Sequence, residues 1–544
     1  MPVALERLRS KVSEFVERHM YDSAVFLADK LVTMSGGQEE DVYTLAQAYY
    51  QAGLHQRAIH VVKKAELLKS SPGPQDKFRF LVAKCHIVKE EWDEALAVLQ
   101  TNEEAQDEPE PAPAADFRSS MSLLRGTIYD AMDDRENAAL AYRRALQLDC
   151  FCYEAFQRLT QHHLLGAEEE QSLIAGIEFG GEEAWLELLY RAKVTRYENA
   201  SGVLPPLSPD LGDGSMHMAT EHEDERATPP SLTLHLDELE SEHNLAGNLD
   251  LKAHRAEIQY YNYEHRAAVV TCRDILERDP HNLTCLPVYL CTLHELQQKN
   301  ELFYQAHKLV DNHPQSAVAW FAVGCYYHLT GNYDSARRYF EKATHLDNWF
   351  APAWLGYGNA FAAQDESDQA MVAYRTAAKL FPGCHFCPLF VGMECARTNN
   401  LPLAVRYFDN AKEICPSDPL VYHEVGVVHY KNQELPQARD CFLHVLKLCE
   451  GRRKPSESTL FNLGHTCRKL RLFDDAIKYY NQALHAEPHK ASTHAALGFT
   501  YHLTGNLHRA IEYYHQALGL KSEDTFATAM LSNAFDEMAI EPSF

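Results

Sequence analysis

Histidine and cysteine carry most of the potential chemistry in this chain, 29 and 14 of them among 544 residues, and their spacing decides which reactions are open. Cys384-His385-Phe386-Cys387 supplies one C-x2-C pair. A tetrahedral zinc site wants a second pair of comparable spacing, and none follows nearby. The remaining cysteines are scattered with no RING-like ladder, so they read as small apolar residues of a reduced protein. His294-Glu295-Leu296-Gln297-Gln298 begins like a zinc-protease helix but places Gln298 where the second histidine ligand must stand. His162-His163 has no third ligand at helical spacing. Gly356-Tyr357-Gly358 opens like a dinucleotide loop, yet Phe361 replaces the third glycine, and no G-x4-G-K-[ST] phosphate loop occurs. The triplets starting at Asn199 and Asn282 match glycosylation acceptors but need a secretory context, which the order of residues Met1 to Arg9 does not suggest. No catalytic, cofactor-binding or metal-binding residue is assigned, and the chain reads as a non-enzyme.

The elements that hold these residues are set by a period of about 34 residues, the tetratricopeptide spacing of stacked helical hairpins. Trp320, Gly324, Tyr327, Ala336, Phe340 and Ala343 are answered by Trp354, Gly358, Phe361, Ala370, Tyr374 and Ala377. Gly392, Gly426, Gly464 and Gly498 continue the small position of the first helix. Ala404, Ala438, Ala476 and Ala510 continue that of the second, and helices approach closely only where such residues meet. Phe340, Tyr374, Phe408, Phe442, Tyr480 and Tyr514 supply bulk expected to plug into the neighbouring repeat. Pro382, Pro416 and Pro488 stop helices between hairpins. The register runs upstream through Ala256, Ala268 and Leu309, through Gly126, Ala138 and Tyr142, and more weakly through Ala24, Ala58 and Ala95. The predicted fold is an all-α tetratricopeptide superhelix.

In such an array the first helices line the concave wall. Counting the tryptophan as slot four, the inward slots give Phe321, Cys325, His328, Leu355, Asn359, Leu389, Met393, His423, Val427, Tyr430, Phe461, His465, Arg468, Phe499 and His502. An apolar lane with His, Asn, Tyr and Arg handles suits an extended peptide. The formal charge of −26 argues against nucleic acid, whose phosphates demand clustered Lys and Arg. No apolar run approaches the roughly 18–20 residues that cross a bilayer, so cytoplasm and nucleus are the expected compartments.

Composition divides the chain into N-terminal repeats over 1–200, an acidic Pro- and Ser-containing linker over 201–248, and C-terminal repeats over 249–544. A second acidic stretch, 101–119, interrupts the first array as an exposed loop. Ser208 and Thr228 in the linker, and Ser71 in a further accessible stretch of the first array, each precede proline, the minimal form a proline-directed kinase accepts. Phosphate there adds about −1.5 to −2 charge.

Several segments match more than a generic repeat: Leu5-Glu6-Arg7-Leu8-Arg9, Ser23 to Lys30, Trp320 to Tyr327, Asp368 to Met371, His423 to Val428, Leu463 to Leu470 and Ala517 to Leu520. With these the chain resembles the Cdc-sixteen-type scaffold subunits of the anaphase-promoting complex, the multisubunit ubiquitin ligase of mitosis. The similarity covers nearly the whole chain and departs in the acidic linker and after Leu531. The resemblance implies a non-catalytic scaffold that homodimerises through its N-terminal repeats and stacks with sibling tetratricopeptide subunits. It also implies that the C-terminal groove holds the N-terminal segment of a very small accessory subunit, while cullin and RING partners do the chemistry. A competing reading is a co-chaperone adaptor gripping the C-terminal carboxylate of a heat-shock protein. That clamp needs Lys and Asn at adjacent inward slots, where this chain has Leu355, Met393 and Val427. An enzyme regulated by its own repeats would need a catalytic domain beyond the array, and the repeats continue almost to Phe544.

Overall fold

A computed structural model describes residues 2–65, 76–100, 117–194, 232–262, 264–416, 418–449 and 456–540. Two units form. The first, Met1–Ala184, pairs α1 (Pro2–Glu17) with α2 (Tyr21–Ser35), α3 (Glu39–Gln51) with α4 (His55–Lys64), α5 (Asp76–Val88) with α6 (Trp92–Gln100), and α7 (Phe117–Ala131) with α8 (Arg135–Leu148); α9 (Tyr153–Gln161) and α10 (Ala167–Ala175) follow. The second, Trp185–Phe544, takes in α11 (Ala184–Val194), α12 (Leu232–Glu242) and eight hairpins. These are α13 (Leu249–Tyr261) with α14 (His265–Arg278), α15 (Leu286–Glu295) with α16 (Lys299–Asn312), α17 (Ala317–Leu329) with α18 (Tyr333–Leu346), and α19 (Ala351–Ala362) with α20 (Ser367–Leu380). After them come α21 (Phe386–Arg397) with α22 (Leu401–Ile414), α23 (Pro419–Lys431) with α24 (Leu435–Cys449), α25 (Glu457–Lys469) with α26 (Phe473–Ala486), and α27 (Ala491–Leu503) with α28 (Leu507–Leu520), closed by α29 (Thr525–Ile540).

The repeat positions carry specific contacts. A Cβ built on Gly324 would lie 2.6 Å from the Phe340 ring. At Gly126, Gly358, Gly392, Gly426, Gly464 and Gly498 it would likewise come within 3.0 Å of Tyr142, Tyr374, Phe408, Phe442, Tyr480 and Tyr514. The first-helix glycine therefore faces the aromatic ring of its own second helix. This corrects the expected pairing of glycine with alanine, because a flat ring fits against a bare helix backbone where two methyl-sized residues would leave a gap. The Phe340 ring also comes within 2.8 Å of a Cβ built on Gly356 in the next repeat, so it serves two repeats at once. All six aromatic rings of the C-terminal repeats are buried, as are the alanines from Ala336 to Ala510.

At three of the repeats the slot-four side chain closes the inter-repeat turn. The indole N–H of Trp320 donates to the Pro314 carbonyl at 2.8 Å and that of Trp354 to the Asn348 carbonyl at 3.2 Å, while His494 Nε2 meets the Pro488 carbonyl at 3.0 Å. Within the hairpins the chain reverses through one left-handed residue, Gly331, Asp365, Asn399, Gln433, Arg471 or Gly505. Asn332 and Asn506 then cap the following helices through their side-chain oxygens, satisfying an N–H that the helix itself leaves free.

Three expected boundaries shift. The linker expected to reach 248 contains α12, whose Leu236 and Leu239 are fully buried with Ala192, Leu251 and Ile258. Two leucines at i and i+3 were enough to dock a turn-rich acidic stretch. For the same reason α11 belongs with the second unit rather than with the N-terminal repeats. The loop expected over 101–119 ends at Phe117, where α7 starts, and Ser119 is buried and donates to the Ala145 carbonyl at 2.9 Å. Ser71, Ser208, Thr228 and Asn199 lie outside the described residues. Asn282 accepts from the Thr284 backbone N–H at 3.0 Å, a local turn. Among the described residues no helix is long and apolar enough to cross a membrane.

Gly358→Ala should lower unfolding stability by about 1–3 kcal/mol, the range for overpacking a close contact. Gly519→Ala, where a Cβ meets nothing within 4 Å, should leave it unchanged or higher. Chemical denaturation of both variants checks the pair.

Candidate peptide groove

All fifteen inward candidates lie on first helices, and successive first helices touch along α15, α17 and α19 and again along α21, α23, α25 and α27. Exposure separates them. Phe321, Cys325, Leu389 and His423 are buried, so these four pack between helices rather than face a ligand. Phe321 meets Phe340 and Phe350. His423 ties two repeats together, its Nδ1 2.9 Å from Thr459 Oγ1 and its Nε2 3.4 Å from Asn462 Nδ2. Burial pushes its pKa down to about 4, so it is neutral in the fold. Three of the four, Phe321, Leu389 and His423, stand at slot five, which at those repeats is deeper than a repeat count alone conveys.

The other eleven are half-buried, and their polar members follow a rule the spacing did not disclose. Where the second-helix ring is tyrosine, slot nine or twelve of the same hairpin supplies its hydrogen-bond partner. Tyr374 Oη donates to Asn359 Oδ1 at 2.6 Å, Tyr480 Oη meets His465 Nδ1 at 2.5 Å, and Tyr514 Oη lies 3.4 Å from His502 Nδ1. In the first unit Tyr142 Oη donates to the buried Asp130 at 2.5 Å. Where the ring is Phe340, Phe408 or Phe442, slot nine is Cys325, Met393 or Val427. A buried hydroxyl needs a partner and a phenyl ring does not. Asn359 and His465 are thus engaged by the core, and burial first, with Arg468 and Lys469 behind it, pushes the His465 pKa down to about 4. His328 is engaged too, 3.0 Å from His294.

What stays available is an apolar lane of Leu355, Met393, Val427, Phe461 and Phe499, with a cationic end. The Arg468 guanidinium stacks over Phe499 at 4.8 Å and the Lys469 ammonium over Tyr430 at 4.1 Å. Arg468 Nε is buried without a hydrogen-bond partner, a donor that an acceptor carried by a ligand would satisfy. Glu424 sits beside this lane, and burial raises its carboxyl pKa to about 7, partly countered by Lys431.

Comparison with known proteins fits this geometry. The family profile described as anaphase-promoting complex, cyclosome, subunit 3 matches residues 17–102, and tetratricopeptide profiles match residues 120–149, 317–348, 417–486 and 461–525. The cell division cycle protein 16 homolog of Homo sapiens is 38% identical over 98% of this chain and 84% of its own length. This chain belongs to the cell division cycle protein 16 family of anaphase-promoting complex subunits. Anaphase-promoting complex subunit 6 of Arabidopsis thaliana, another member, is 38% identical over 97% of this chain and 96% of its own. Among solved structures, the crystal structure of the anaphase-promoting complex hetero-tetramer Cut9–Hcn1 matches with a TM-score of 0.76 at 32% identity, covering 97% of this chain and 96% of that one. The tetratricopeptide fold and the family are both established on these grounds.

Asn359→Leu should cost about 1–3 kcal/mol by leaving the Tyr374 hydroxyl buried without its acceptor, and adding Tyr374→Phe should recover most of it; a double-mutant cycle by denaturation measures the coupling. Glu424 gives a pH test. Its folded pKa lies above its unfolded one, so its contribution is present at low pH and lost as pH rises through about 7. Glu424→Gln should therefore raise the thermal midpoint at a pH about one unit above that value and change it little well below.

Proposed function

We propose that this chain is a non-catalytic scaffold subunit of the anaphase-promoting complex, acting in the cytoplasm or nucleus, and that its partners carry the ubiquitin-transfer chemistry. The carrying observation is the likeness, over nearly the full length of both chains, to a chain solved in the Cut9–Hcn1 hetero-tetramer. Four chains of two kinds require at least one kind to be present more than once. We read this as homodimerisation through the N-terminal repeats, where Phe26 is 62% exposed on α2 and Met20 and Met34 are exposed at the two ends of that helix.

The groove of the second unit is assigned to the N-terminal segment of a small accessory subunit, entering as an extended chain along Leu355, Met393, Val427, Phe461 and Phe499. Arg468 and Lys469 supply the donors at one end. Sibling tetratricopeptide subunits of the complex would stack on the remaining surface. Ser71, Ser208 and Thr228 are proposed as mitotic phosphorylation sites, and phosphopeptide mapping from arrested cells that finds all three unmodified would remove them.

Tagged chain isolated gently from mitotic cells should bring down a cullin, a RING protein and other tetratricopeptide subunits; recovery of heat-shock proteins alone would favour the adaptor reading. Phe461→Asp and Arg468→Asp should each weaken binding of the small-subunit peptide by about 2 kcal/mol, roughly thirty-fold, with helix content by circular dichroism unchanged. Phe26→Asp in the full chain should shift its sedimentation from dimer toward monomer at micromolar concentration. A wild-type chain that already sediments as a monomer there would rule the dimer out.

A further inference from the structure

We propose that Cys291 and His294 on α15, with Cys325 and His328 on α17, bind one tetrahedral divalent metal ion, zinc by ligand chemistry, and thereby lock two adjacent repeats together. The set is a C-x2-H motif repeated 34 residues later, so both copies occupy slots nine and twelve of successive first helices. Residues three apart on a helix share a face, and these two faces meet. His294 Nε2 lies 3.0 Å from His328 Nδ1, with the ring centroids 5.1 Å apart. Two imidazole nitrogens on a tetrahedral zinc, with bonds of roughly 2.0–2.1 Å, stand about 3.3 Å apart, so a small opening of this pair suffices.

The outer nitrogens supply the second observation. His294 Nδ1 faces Glu295 Oε1 at 3.7 Å, and His328 is hydrogen-bonded to the Asn359 backbone. A carboxylate on one ring and a backbone group on the other is the outer support that metal-binding histidines use to fix their tautomer. One ring gives the other a proton across this 3.0 Å contact, and a metal ion that takes the place of that proton would use both inner nitrogens. A shared proton is the alternative cation, and burial together with the neighbouring His294 charge pushes the His328 pKa below its ordinary value.

The sulfurs complete the set from one turn away. Cys325 is buried, and the two thiols are close enough that Cys291 raises the Cys325 pKa further. Cys291 is pushed up to about 12 by burial and also hydrogen-bonds Tyr260. Among the described residues only His86, Glu91 and Glu94 have three donor atoms within 4.8 Å of one another already, so the thiols must rotate inward as the ion enters. Each gives up its proton to solvent on binding, which makes uptake stronger as pH rises. The His86 group is a weaker candidate, since Lys89 pairs with Glu91 and Glu94 is exposed.

Cobalt(II) titration of the metal-free full-length chain under reducing conditions tests the site. One equivalent should produce thiolate-to-cobalt charge-transfer absorption and the visible bands of tetrahedral cobalt, displaced by zinc. Cys291→Ser and His328→Gln should abolish the sulfur bands with helix content unchanged, and Glu295→Gln should weaken binding by about ten-fold. Absence of sulfur bands in the wild-type chain overturns the proposal, whatever the variants do. So does binding that survives Cys291→Ser and disappears in Glu91→Gln, which would place the ion at His86.

Discussion

An aromatic ring laid flat against a helix with no side chain is the contact on which this architecture rests. Gly324 against Phe340, and its six counterparts from Gly126 to Gly498, bring the two helices of those seven hairpins close enough to exclude solvent, and a Cβ there would strike the ring. Because Phe340 also presses on Gly356 of the following repeat, the same ring sets the angle between neighbours. The spacing of the first helices, and hence the width of the groove they line, follows from how deeply those rings sit.

Much of this was legible from the chain alone. The glycines, alanines and rings recur on a period long enough that chance agreement is excluded, and even the polar closure by Trp320 and Trp354 stands at a countable position. The content of the groove was less legible. A repeat count says which way a Cα–Cβ bond points, but not how near the next helix comes. Phe321 and Leu389 therefore satisfy the count and are still buried, and Asn359 and His465 satisfy it while engaged by tyrosines behind them. The helix Leu232–Glu242 escaped for another reason: its docking depends on Ala192 and Ile258, far away in sequence, and local composition there is that of a solvated segment.

The histidines illustrate how context reassigns a residue type. His423 crosses between repeats to Thr459, His465 holds a tyrosine hydroxyl, His502 bridges Tyr514 and Glu537, and His294 meets His328. Each occupies a wall position where an apolar residue would pack as well, and each is there because a polar neighbour requires it. A wall built this way is stiff, since its polar side chains are held from behind, and any ligand it took would have less ordering to impose.

The pairing of a buried hydroxyl with a wall residue also bears on how such a groove can change through descent. Replacing Asn359 with an apolar residue to suit a new ligand strands Tyr374, while converting that ring to phenylalanine first strands nothing. Altered recognition should therefore be reached in a preferred order, ring before wall. Across relatives, the aromatic position should vary as a correlated pair with slot nine or twelve of its own hairpin.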